Sequence, residues 1–76
     1  MTKKQQLARM VAEIAAADAR RSVARESDTA VLTPRYTRSA LEQMGMELSY
    51  GEGRVYRAAF TAAYVTAWQA RVERLS

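Results

Sequence analysis

Arg54-Val55-Tyr56-Arg57-Ala58-Ala59-Phe60-Thr61-Ala62-Ala63-Tyr64-Val65-Thr66-Ala67-Trp68-Gln69-Ala70-Arg71-Val72 is the stretch that decides the fold. Tyr56, Phe60, Tyr64 and Trp68 recur every fourth residue, and Val72 continues the row. Residues four apart lie one above the other on a helix, so the spacing predicts a helix carrying an aromatic ridge from Arg54 to Leu75. Each four-residue step overshoots a full turn by about 40°, and the ridge winds slowly around the axis. Ala63, Ala67 and Leu75 widen it into a stripe, while Thr61, Ala62, Thr66, Gln69 and Glu73 mark the opposite side. Most of the chain's aromatic surface is on this helix, so any core has to be built against it.

The rest of the chain supports an all-α reading. The 76 residues include fifteen Ala, three Gly and one Pro, and no stretch alternates apolar and polar over a strand's length. A first helix is expected from Lys3 to Glu26, capped by Thr2. Leu7, Met10, Val11, Ile14 and Ala17 form its apolar stripe. That stripe then meets Asp18, Arg21 and Ser22, so the seam stops about two-thirds of the way along. A second, smooth face carries Ala8, Ala12, Ala15, Ala16 and Ala19, which permits close approach of another helix. Glu26 to Thr33 reads as a linker, with Ser27, Asp28 and Thr29 as turn formers and Ala30, Val31 and Leu32 folding back onto the core. Thr33-Pro34 predicts the start of a second helix, which ends at Met44 or, if it runs through Gly45, at Leu48. Ser49-Tyr50-Gly51-Glu52 fits a capping box for the third.

The expected architecture is one domain, 1–76. It is a compact three-helix bundle, or a long hairpin of antiparallel first and third helices with a shorter second helix across one end or side.

Composition excludes more functions than it suggests. There is no His and no Cys, so the usual general base, thiol nucleophile and zinc ligands are missing. The eight carboxylates are dispersed, no phosphate-cradling motif is present, and no enzyme, metal or cofactor is expected. No apolar run approaches the roughly 18 residues of a membrane span, and the start of the chain lacks a signal-peptide core. It reads as a short, complete, soluble cytoplasmic product. A core this small supplies only about 3–5 kcal/mol, which favours docking on a partner or self-association.

The net charge is +4, and ten of the twelve basic residues are Arg. Arg20, Arg21 and Arg25 close the first helix, Arg35 and Arg38 follow the linker, and Arg54 and Arg57 open the third. Antiparallel long helices gather all seven at one end, as a surface for phosphates or carboxylates, mixed with Glu26, Asp28, Glu47 and Glu52. Tyr, Trp, Met and Arg are enriched at interface centres. Phe60 and Tyr64 are assigned to the core. Tyr56 and Trp68, flanked by Arg57 and Arg71, are the expected partner-contacting aromatics, with Tyr56→Ala or Trp68→Ala costing binding rather than folding.

Leu41-Glu42-Gln43-Met44-Gly45-Met46, Tyr50 and Arg54-Val55-Tyr56-Arg57-Ala58 resemble the opening of sugar-responsive archaeal winged-helix regulators. Those domains continue with a recognition helix and a β-wing, whereas this chain ends after its third helix, so no DNA-reading residue is carried over. The function expected is a small non-enzymatic binding protein that regulates or inhibits a protein or ribonucleoprotein partner. Its size and composition fit the inhibitors of phages and mobile elements, such as anti-CRISPR proteins. The alternative is a basic helical DNA- or RNA-binding regulator, acting as a homodimer.

Overall fold

The computed structural model describes residues 2–33, 37–48, 50 and 53–76. Four helices make up nearly all of them: α1 (Lys3–Arg25), α2 (Asp28–Val31), α3 (Arg38–Leu48) and α4 (Arg54–Leu75). No strand occurs among the described residues.

Each boundary has a local cause. Thr2 accepts the Gln5 N–H, and the Gln5 side chain accepts the Thr2 N–H, a reciprocal box that satisfies two otherwise orphaned donors. Ser27 caps the single turn of α2 by accepting from Ala30 N–H, so the expected linker contains a short helix. Thr37 Oγ1 accepts from Ala40 N–H at the start of α3. The described part of the second long helix begins at Arg38, with Thr37 as its cap. Pro34, Arg35 and Tyr36 lie outside the described residues. So do Ser49, Gly51 and Glu52, three of the four residues of the expected capping box. Gly53, at φ 89°, leads into α4 with no side-chain cap.

α4 is the centre of the structure, and α1, α2 and α3 all pack on it. The direction of α1 corrects the sequence reading. Tyr56, in the first turn of α4, reaches Asp18. Arg71, near the other end of α4, reaches the Val23 carbonyl and Asp28, while Trp68 reaches the Val31 carbonyl. The two contacts made by α1 rise together along both helices, Tyr56 with Asp18 and Arg71 with Val23, so α1 and α4 run parallel. The reason is α3. Its 11 residues span about 16 Å, enough to carry the chain back along the middle of α4. That return pass makes the final helix run in the same direction as α1.

The face that α1 buries is also corrected. Ala15, Ala19 and Val23 are buried against Phe60, Tyr64, Val65 and Leu41. Leu7, Met10 and Ile14, the expected core stripe, are 61, 57 and 56% exposed. Small side chains let the two long helices approach closely along the alanine face, and the larger ones are left on the flank.

Gly45 is an interior residue of α3, which continues through it to Leu48. A Cβ there would stand 3.2 Å from the Thr61 backbone and 3.6 Å from Phe60. The missing side chain is what lets α3 settle on α4. Gly45→Val is expected to push the helices apart and destabilise by about 1–3 kcal/mol, although the change improves helix propensity. Urea unfolding of the variant beside wild type measures it.

Candidate docking surface

Two of the expected partner contacts turn inward. Trp68 packs on the core, and its Nε1–H donates to the Val31 carbonyl at 3.1 Å. Tyr56 stacks on Phe60 at 5.9 Å, and its hydroxyl donates to Asp18 at 2.8 Å. Buried indole and phenol tips need such partners. Here they find them on α1 and α2, and both tips are used to join helices.

Asp18 also pairs with Arg21 one turn on. The Arg21 hydrogen bond, then that of Tyr56, holds the Asp18 carboxyl below its ordinary value of 3.8. A depressed folded value means that the contribution to stability is present above the unfolded value, near 3.8, and disappears as pH falls through the lower folded one. Asp18→Asn is therefore expected to lack that acid-sensitive component. Paired thermal melts, at neutral pH and well below pH 3.8, test this through a smaller acid-induced drop in the variant.

The arginines separate into groups, because α1 and α4 are parallel. Arg20, Arg21 and Arg25 are exposed on the second half of α1. Arg20 lies over the alanine side of α4, beside Ala59, Ala63 and Ala67. Arg25 shares a cleft with Asp18, Leu48 and Tyr56. Arg54 and Arg57 begin α4, at its opposite end from Arg71, the residue that reaches α1's last turns. The single-ended cluster of seven does not form, and Arg35 lies outside the described residues. Arg71, read from sequence as a flank of Trp68, instead clamps α1 and α2 through the Val23 carbonyl at 2.6 Å and Asp28 at 2.8 Å.

Three arginines do come together, along a groove of about 650 Å³ between α3 and α4. Arg38, Arg54 and Arg57 line it, and Ala58, Ala62, Val65 and Met46 give it an apolar floor. The antiparallel course of α3 on α4 spreads these charges along the length of the groove. Arg38 is engaged with Glu42 at 3.3 Å, an exposed pair that holds it weakly. Among the described residues neither Arg54 nor Arg57 forms a salt bridge. Arg57 Nε and Thr61 Oγ1, both on the groove, are buried without a hydrogen-bond partner among the described residues. Next to its lower end, Met46, Tyr50 and Arg57 share a smaller recess, where Tyr50 is 84% exposed and Met46 50%.

The sequence missed this groove for an identifiable reason. Thr61, Ala62, Thr66 and Gln69 read as the solvent side of α4, and they line it. The signal was Gly45: a glycine inside a helix whose other features are regular marks a close crossing, which places those residues beside α3. Among the described residues no group of His, Cys, Asp and Glu is arranged to hold a metal ion, and no helix is long and apolar enough to cross a membrane.

Compared with known protein families, characterised proteins and solved structures, the chain matches none.

Proposed function

We propose that this chain is a non-enzymatic binding protein that docks on a protein partner through the α3–α4 groove. The observation that carries the reading is an apolar floor rimmed by Arg38, Arg54 and Arg57. Such a floor takes the apolar face of a helix or extended segment, and the arginines grip carboxylates beside it with paired hydrogen bonds. The partner segment is amphipathic and acidic. Nucleic acid is served less well, since phosphates need basic residues along a solvated track, and here the arginines stand around apolar side chains. Tyr50 and Met46 extend the contact with residue types common at interface centres. The mode of action is steric: an 8.5 kDa body seated on a partner's acidic segment occludes whatever else that segment binds.

Ala62→Trp tests this. Ala62 is exposed and lines the groove, so an indole there fills the floor without entering the core. Tagged wild type, expressed in its native host and treated with nuclease, is expected to retain a protein species that Ala62→Trp loses, with unchanged circular dichroism. Loss of the bound material on nuclease treatment, or its retention by Ala62→Trp, contradicts the reading.

A further inference from the structure

We infer, resting on that docking reading, that the partner segment is an acidic helix laid along the open strip of α4 between α1 and α3. Ala58, Ala62, Thr66 and Gln69 are exposed on this strip and line the groove on its α3 side. Their spacings of four, four and three form one row along a helix, eleven residues long and about three turns in length. Beside the row a second hollow, of about 470 Å³, opens on the α1 side over Ala59, Ala63 and Ala70. Ala62 and Thr66 belong to both hollows, so the two are one surface astride α4.

Backbone chemistry decides the conformation of the occupant. Each peptide group brought onto an apolar floor needs a hydrogen-bond partner. An extended segment takes its partners from a sheet edge, and no strand occurs among the described residues. The peptide groups along α4 are bonded within the helix itself. A helical occupant likewise satisfies its own backbone and requires of the surface only room. Ala58, Ala59, Ala62 and Ala63 end at Cβ, which lets a second axis come to the near end of the usual 8–10 Å spacing. With its side chains a helix is about 10–12 Å across, wide enough to rest on both hollows at once. The partner supplies the large apolar side chains that this strip of α4 lacks.

Charge selects an acidic helix. Arg54 and Arg57 stand at one end of the strip, and Arg20 of α1 flanks its middle. Among the described residues none of these three forms a salt bridge. Arg38 is already engaged by Glu42, and the charge match does not depend on it. Carboxylates on the two flanks of an apolar ridge would meet Arg57 on one side and Arg20 on the other. A second copy of this chain is the poorer occupant: its net charge is +4, and the exposed apolar flank of its α1 begins beside Lys3 and Lys4.

The rise of the occupant along α4 can be measured. A photoactivatable crosslinking residue at position 58 and, separately, at position 69 probes two exposed points about 16 Å apart on the strip. Mass spectrometry of the adducts formed in the native host locates the partner residues captured. A helix is expected to give captured residues about eleven apart in one partner segment, because both helices rise about 1.5 Å per residue. An extended segment, rising about 3.3 Å per residue, gives residues about five apart. That second spacing overturns the helix and leaves the docking reading standing, whereas no protein adduct from either position overturns both. Arg20→Glu, at an exposed position, is expected to lower both adduct yields about tenfold by setting like charges together, with unchanged circular dichroism. Unaltered yields would confine the occupant to the α3 side and overturn its placement astride α4.

Discussion

Tyr64→Ala is expected to leave the chain largely unfolded at room temperature. Tyr64 is 1% exposed and is the largest of the fully buried side chains. It packs on Phe60 at 5.7 Å, and its hydroxyl reaches the Met44 sulfur on α3 at 3.5 Å. It therefore joins the core under α1 to the return helix. Truncating a buried aromatic side chain costs about 3–5 kcal/mol. A core this small has about 3–5 kcal/mol in total, so the loss matches the whole stability. Tyr64→Phe keeps the ring and loses the hydroxyl with its weak contact to sulfur, and it is expected to fold. Far-ultraviolet circular dichroism separates the two variants: Tyr64→Ala loses most of its helical signal, and Tyr64→Phe retains it.

The second large effect belongs to Trp68. Trp68→Ala is expected to destabilise by about 3 kcal/mol, the low end for a large aromatic, because the indole is only partly buried. The substitution also leaves the Val31 carbonyl without the indole N–H, and it loosens α2, which has few other contacts to α4. Urea unfolding reads the loss as a lower midpoint. If Trp68 served a partner instead, the same substitution would abolish binding and leave the midpoint near wild type. The hydrogen bond to Val31 predicts the first result.

Trp68 also shows where sequence reasoning stops. The ridge Tyr56-Phe60-Tyr64-Trp68 made the helix and its core role legible, because a four-residue period has few other readings. It did not say which tips stay inside. That depends on what α1 and α2 bring opposite each tip, and Asp18 and the Val31 carbonyl are set there by tertiary packing. The same limit explains α1. Size ranked Leu7, Met10 and Ile14 above the alanines as core, yet close helix approach favours the small face, and Ala15 and Ala19 are completely buried. Helix direction was legible in principle. Three long helices joined by short connections put the first and third in parallel. The second, expected from Pro34 to Met44 or Leu48, reads from sequence as a cross-piece rather than a return pass, and that reading misplaces the arginines. Among the described residues, Arg38, Arg54 and Arg57 lie together on the groove. Its floor comes from residues that looked solvent-facing until Gly45 brought α3 against them.

The most direct test of the docking surface is a photoactivatable crosslinking residue placed at Ala62, on the groove floor, and separately at Ala24, which is exposed on the last turns of α1. Irradiation in the native host is expected to give a protein adduct from position 62 that survives nuclease, is removed by protease and is lost with Arg57→Glu; position 24 gives no such adduct. An adduct at 62 that nuclease removes, or a protein adduct from 24 with none from 62, would contradict a groove that binds protein.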